Sequence, residues 1–467
     1  MTQENKHSMK LSEALVILIA MLSILGVLII KFQITPHIPI LMVFTLLMFY
    51  GKLRGYSWDE IHNGIVEGIK PGIIPIIIFL LIGVLVATWI AAGTIPTIMV
   101  YGFKIISVKY FIPTTFLLCA LVGITVGSSF TTISTIGIAL LGIGHILDFP
   151  AALTAGAIVS GAFLGNNLSP LSDTTNLASG LAKVDLYEHI KSMAQTALPS
   201  ALIAFVFYLM MGSGTKVNAV NSIQNMSHIL QSNFDISFWS ILPVLVLFIF
   251  AWFKIPAIPS LLTSSLVAVV VTLLRHVQQL SLKEICNMLM SGYVSHTGNR
   301  QIDGLLSRGG IESMLNSAAL IILALALGGL LIKFQVITTL INQIQGFVNT
   351  PGKLIMMTIL SSVGINFLVG EQYLSVILPG ETFKTAYDKL GLNRKYLSRT
   401  LSAGGSAVNS LVPWGVSGIF ISGTLGVNPL EYVKFATYSY VEPIMTVIIG
   451  FMIVNSQFNK AKKTKTN

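Results

Sequence analysis

The string NNLSPLSDTTN, Asn166 to Asn176, sets three amides, four hydroxyls, a carboxylate and a proline between apolar runs. An Asp at the centre of a membrane helix costs roughly 2.5–3.5 kcal/mol, so such groups usually mark a site. The oxygens of Asn166, Asn167, Ser169, Ser172, Thr174, Thr175 and Asn176 are hard ligands with no soft donor among them. They suit an alkali cation such as Na⁺ better than a transition metal. Pro170 lacks a backbone donor and breaks its helix, which frees carbonyls for a cation and N–H groups for an anion.

Three further polar patches accompany it. GSSFTT at 127–132 offers Ser128, Ser129, Thr131 and Thr132 as substrate ligands; GEQYLS at 370–375 offers Glu371 and Gln372; NSLVPWG at 409–415 offers Asn409 and a second helix break at Pro413. Asp173 and Glu371 are the carboxylates of these patches. A carboxylate out of water binds protons more readily, and one that holds either H⁺ or Na⁺, never both, is the minimal machinery of antiport. The competing roles are plain ones. Ser172 or Asp173 could simply cap a half-helix, and Glu371 could sit at a hairpin tip in interfacial water. Because Ser or Asn would cap without the desolvation cost, a functional Asp173 is preferred.

Other polar residues read more simply. Glu67 and Glu312 start spans as interfacial anchors; His145, Glu188 and His189 sit at span ends and read as solvated; Trp414 either walls a cavity or packs; Gly26 is a packing residue. Cys119 and Cys286 have no ligand-spaced partner. HExxH, GxSxG and Walker patterns are absent, which argues against a membrane hydrolase or an ATP-driven pump. No enzyme activity and no cofactor are expected.

The elements that must position these groups are membrane helices. The 467 residues are 54% hydrophobic and only 10% charged, against about 25% charged in soluble domains. The fold class is therefore all-α and polytopic in a lipid bilayer. Apolar spans fall at 11–31, 38–53, 72–92, 110–147, 150–183, 191–212, 236–254, 257–275, 312–333, 353–383, 395–424 and 430–454. The net charge of +10 sits in short loops and the tail KAKKTK, a positive-inside pattern and not a nucleic-acid surface.

The second half repeats the first. SWDEIHNG at 57–64 returns as SLKEICNM at 281–288, an offset of 224; after a 19-residue insertion the offset is 243 and holds through the polar regions. Gly127 then falls on Gly370, Phe130 on Tyr373, Gly161 on Gly404, Asn166 on Asn409 and Pro170 on Pro413. Such internal symmetry is a hallmark of secondary transporters. Residues 110–147 would form a helix of about 57 Å, nearly twice the bilayer core, so this segment is expected to double back. Gly123 and Gly127, then Gly364 and Gly370, lie near the presumed tips.

The expected organisation is a first repeat at 1–212 with a re-entrant hairpin at 110–147 and a broken helix at 150–183. An extracellular linker at 213–235 follows. The second repeat covers 236–454, with hairpin 353–383 and broken helix 395–424, before a basic cytoplasmic tail at 455–467. Hairpins make the two repeats inverted, with five crossings each; single crossings would make them parallel. Either topology puts about two thirds of Lys and Arg inside with cytoplasmic termini, so segment length alone favours the hairpins.

At SGAFLGNNLSPLSDTTNLASG (160–180), DLYEHIKSMAQTALPS (185–200) and GEQYLSVILPG (370–380) the chain resembles the NhaC-type Na⁺/H⁺ antiporter family. Within it the branch of malate/sodium-lactate antiporters is the most similar. The resemblance covers essentially the whole chain. It implies a bacterial inner-membrane exchanger of internal Na⁺ for external H⁺, with lactate or malate as a further cargo, and an inverted-repeat fold of two hairpins and two broken helices. A homodimer is kept open. One departure matters: the family commonly has Asp after the glycine where this chain has Gly165-Asn166-Asn167. The site has one carboxylate fewer, which bears on proton stoichiometry. The expected function is Na⁺/H⁺ antiport by alternating access; organic-anion exchange is the alternative and a passive channel or sensor the remote one.

Overall fold

A computed structural model describes residues 9–105, 107–212, 219–275, 281–345 and 350–454, and every regular element among them is helical. Helices satisfy their backbone internally, as a lipid environment demands. Among the described residues nine helices are long and apolar enough to cross a membrane. Their outer faces carry exposed Val16, Ile19, Leu202 and Leu266, the apolar surface a lipid-facing belt requires. The protein is a multi-pass membrane protein.

The first half contains α1 (Leu11–Lys31), α2 (His37–Leu53), α3 (Trp58–Ala91), α4 (Val108–Val126), α5 (Ser129–Ile146), α6 (Ala151–Leu168), α7 (Asp173–Ala182) and α8 (Leu186–Gly212). Segment 110–147 doubles back on itself. A methyl added to Gly144 near the end of α5 would lie 3.0 Å from the Phe111 ring at the start of α4. The rings of Phe111 and Phe149 are 5.1 Å apart. The turn is made at Gly127, whose φ of +74° is left-handed, a conformation only glycine adopts cheaply. Arm α4 runs alongside α6 in the same direction, since Gly161 approaches Phe116 and Cys119 while Gly165 approaches Ala120 and Gly123. Glycine against glycine lets the two backbones touch.

The second half contains α9 (Ala219–Asn233), α10 (Trp239–Trp252), α11 (Ala257–Arg275), α12 (Leu282–Ser291), α13 (Ile311–Lys333), α14 (Pro351–Val369) and α15 (Gln372–Lys389). Then come α16 (Lys395–Leu401), which runs through a π turn at Ser402–Ser406 to Asn409, α17 (Val416–Leu425) and α18 (Thr437–Ile449). Arms α14 and α15 also double back, about Gly370 at φ +75°. Tyr387 late in α15 reaches Thr358 on α14 and Thr400 on α16.

Local geometry follows the sequence repeat. Ser57 with Glu60 and Ser281 with Glu284 form the same reciprocal capping box. The 19-residue insertion is a closed excursion: Gly292 leaves beside Gly309 and Gly310, and Gly310 N–H donates to Gly83 O at 2.7 Å. The chain returns to where it left, so the repeat resumes in register. One expectation is refined. Most of the linker at 213–235 is helix α9, with Met226, Leu230 and Phe234 buried. The basic tail at 455–467 lies outside the described residues.

Candidate functional site

Each broken helix parts where the proline predicts, and each hairpin tip reaches the break of its own half. A methyl added to Gly127 would fall 2.6 Å from Leu171 Cβ and 2.9 Å from Ser172 N; one added to Gly370 would fall 2.9 Å from Gly415 Cα. These are equivalent positions of the repeat.

At the first break Ser172, not Asp173, caps α7, accepting the Thr175 N–H at 3.3 Å. Asp173 is the first residue of the half-helix, where the positive end of the helix dipole favours a carboxylate. It is exposed to a cavity of about 420 Å³ and accepts a hydrogen bond from the Tyr373 hydroxyl at 3.1 Å. Asn166 organises the break. Its Oδ1 accepts from Ser172 Oγ at 3.0 Å, and its Nδ2 donates to Thr174 Oγ1 at 2.9 Å and Ser406 Oγ at 3.4 Å. Its carbonyl accepts from Thr175 Oγ1 at 3.1 Å.

The cavity is walled by three elements the sequence pointed to. Tip residues Ser128, Ser129 and Thr131 face it, as do Asn166, Asp173, Thr174 and Asn176 of the first break, and Gln372 from the other tip. Asn176 satisfies the broken backbone by donating Nδ2 to Pro170 O at 3.1 Å and Ser172 O at 2.8 Å. Lys254, in the turn between α10 and α11, lines the same cavity.

Other candidates lie apart from it. Asn167 turns to α18 and donates to Tyr438 Oη at 3.2 Å. Ser169 donates to Ile124 O of the hairpin at 2.6 Å. Thr132 donates to Ser128 O at 2.9 Å. Glu371 is 1% exposed, not in water; it caps α15 through the Leu374 N–H at 2.9 Å, and its Oε1 is buried without a hydrogen-bond partner. Asn409 ties the second break together, donating to Asn366 Oδ1 at 2.7 Å and Gly370 O at 3.2 Å while accepting Ser417 N–H at 3.0 Å. Trp414 packs on its own hairpin, donating Nε1 to Phe367 O at 2.8 Å. His189, expected at a solvated span end, is fully buried; its helix α8 packs against both broken helices.

A second cavity of about 650 Å³ is the counterpart of the first. Pro170 and the turn 254–257 border the first; Pro413 and the turn 33–36 border the second. Pro36-His37-Ile38-Pro39 after one turn matches Pro256-Ala257-Ile258-Pro259 after the other at an offset of 220, and offset 243 maps the prolines of the breaks. In each case a broken helix of one half faces the early turn of the other.

A family profile described as the Na⁺/H⁺ antiporter family matches residues 161–454, from within the first broken helix to the last span. The chain belongs to the Na⁺/H⁺ antiporter family. It is 39% identical over 421 residues to the Na(+)/H(+) antiporter NhaC of Alkalihalophilus pseudofirmus, covering 90% of this chain and 91% of that one. NhaC of Bacillus subtilis is 36% identical, covering 90% and 93%. The malate-2H(+)/Na(+)-lactate antiporter of Bacillus subtilis is 32% identical, covering 93% and 94%. In this family member the match includes both breaks and the second tip.

Two contact residues escaped the sequence reading. Tyr373 stands where the first repeat has Phe130, and that added hydroxyl was the available signal. Ser406 lies in the π turn between Gly404 and Asn409, and only the run of small residues there hinted at close approach.

Proposed function

We propose that the protein is a secondary active transporter that exports Na⁺ in exchange for H⁺ by alternating access, seated in a bacterial inner membrane with both termini cytoplasmic. The observation that carries this reading is the first break: an exposed carboxylate at a half-helix N-terminus, ringed by hydroxyl and amide oxygens, facing a cavity in a Na⁺/H⁺ antiporter fold. Asp173, with oxygens of Asn166, Thr174 and Gln372, would replace the hydration shell of Na⁺. A proton on Asp173 removes the charge that attracts the cation, so the two cargoes compete. Glu371 supplies a second exchangeable carboxyl from the opposite tip.

Five crossings per half, with inverted repeats, put the turn 254–257 on the cytoplasmic side and the turn 33–36 outside. The two cavities would then open to opposite sides of the membrane, as alternating access needs. Movement of the two halves about the tips exposes the site to each in turn.

Lys254 supports a second reading. The cavity that holds Ser128, Ser129 and Thr131 also holds this ammonium, which suits a carboxylate cargo such as lactate or malate travelling with the cations. Proteoliposomes separate the two. An imposed pH gradient should drive ²²Na⁺ movement without added anion under the first reading and only with lactate or malate under the second. Sodium flux indifferent to the proton gradient refutes both.

A further inference from the structure

A second set of ionisable groups lies outside both cavities. Glu442 on α18 is fully buried; its Oε1 accepts hydrogen bonds from the hydroxyls of Thr196 and Thr446, and its Oε2 has no partner. Arg399 on α16 is also fully buried. Its Nη1 donates to Gln195 Oε1 at 3.2 Å and its guanidinium lies 5.2 Å from the centre of the Tyr396 ring, but its Nε and Nη2 have no partner. Gln195 and Thr196 are neighbours on α8, so one turn of one helix holds both groups. Arg399 is within electrostatic reach of Glu442 without forming an ion pair.

This arrangement is incomplete as it stands. An arginine stays charged, and a buried charge is costly unless paired. The partner that would complete it is the nearby carboxylate, yet here the carboxyl is turned to hydroxyls. With no counter-charge in contact, the ionised form of this buried carboxyl is costly. When the carboxyl ionises, pairing with the two free guanidinium nitrogens becomes the favourable arrangement, and it draws α16 toward α18. Other groups on the surrounding elements do not supply a competing charge: Tyr438 lies one turn before Glu442 on α18, Tyr387 approaches from α15, and His189 sits on the buried face of α8 about two turns before Thr196.

Both residues connect to the candidate ion site. Arg399 stands at the start of the broken helix whose π turn presents Ser406 to Asn166. Tyr438, on the same face of α18 as Glu442, holds Asn167 of the first break. We infer that Glu442 is a further proton-binding site, beside Asp173 and Glu371, and that Arg399 is the charge that receives it when the proton leaves. This rests on Na⁺/H⁺ exchange being the activity.

The test is calorimetric Na⁺ binding to the purified full chain in buffers of different ionisation enthalpy, which counts protons released per Na⁺ bound. Glu442→Gln should still bind Na⁺, release fewer protons than wild type, and lose the alkaline part of the exchange pH profile in proteoliposomes. Thr196→Val, which removes a hydroxyl donor and keeps the shape, should shift the pH of half-maximal exchange without altering maximal rate; it also serves if Glu442→Gln does not fold. Proton release and pH profile equal to wild type in a folded Glu442→Gln, or in Thr196→Val if the former does not fold, overturn the inference while leaving the exchange reading intact. Na⁺ binding to wild type with no proton release overturns both.

Discussion

At the second break, the N–H of Val416 donates to Gly370 O at 2.7 Å, and Asn409 donates to the same oxygen. Asn366 reaches across to Gly404 O and Gly405 O at 3.0 and 2.8 Å. At the first break the residue equivalent to Val416 is Asp173, the residue equivalent to Asn366 is Gly123, and the side chain of Asn166 turns away from its own hairpin toward Ser406 of the other half. Each net hydrogen bond is worth about 0.5–1.5 kcal/mol, so the second tip is the more firmly held to its broken helix. One pattern of glycine, asparagine and proline has thus produced a tightly anchored break and one that presents a carboxylate to its cavity. The difference teaches that the repeat sets the scaffold, and that the substitutions within it decide which break carries a carboxylate.

Exchanging the distinguishing residues should break that comparison most severely. Asp173→Val gives the first break the residue of the second. Loss of a charged ligand should weaken apparent Na⁺ affinity by about 100-fold, with unchanged elution of the purified protein, and ²²Na⁺ flux reads it. Val416→Asp is the converse. Val416 is 1% exposed beside Gly370, so an unpaired carboxylate there should cost about 3–5 kcal/mol and lower the melting temperature without creating a second site. Normal exchange by Asp173→Val would reduce Asp173 to a helix-terminus charge.

Glu371→Ser sharpens the comparison at the tips, because Ser128 caps the first tip as Glu371 caps the second. If capping were the whole role, Ser would restore function. The expected outcome is a fold retained within about 1 kcal/mol, the range of cap exchange among good capping residues, with coupled flux lost or its pH profile displaced. An unchanged profile assigns Glu371 to the cap alone.

What could be read from the sequence divides along the same line. The doubling back of 110–147 followed from length against bilayer thickness, and the breaks followed from Pro170 and Pro413, both local causes. The capping boxes were not anticipated, although the Ser-x-x-Glu pattern that forms them is local and lies inside the repeated segments. Which polar groups meet did not follow, because those contacts join residues far apart in the chain: Asp173 with Tyr373, Asn166 with Ser406, Arg399 with Gln195. Its place at a span end also made His189 look solvated, since nothing local announces that the residue is buried. Which oxygens of the first break line the cavity was not legible for a related reason. Ser169 and Asn167 have the right chemistry, but the fold directs them to Ile124 O and Tyr438.

Tyr373→Phe makes the second tip match Phe130 of the first. It removes one hydrogen bond to a carboxylate, about 1.5–3 kcal/mol at most, and should weaken apparent Na⁺ affinity by roughly 10-fold while leaving the maximal rate close to wild type. An affinity loss as large as that of Asp173→Val would make the tyrosine hydroxyl itself a ligand.

The smallest effect tests a contact the two halves share by different means. The carbonyl three residues before each tip glycine is satisfied by Ser169 Oγ in the first half and by Trp414 Nε1 in the second. Ser169→Ala and Trp414→Phe delete the same hydrogen bond from equivalent places, and Phe retains much of the packing against Phe367. Each should cost about 1 kcal/mol of stability, visible as a small, similar drop in melting temperature, with Na⁺ affinity unmoved. A 10-fold loss of affinity confined to Ser169→Ala would return that hydroxyl to the ion site, and would mean the first hairpin shifts in the Na⁺-bound state far enough to release it from Ile124 O.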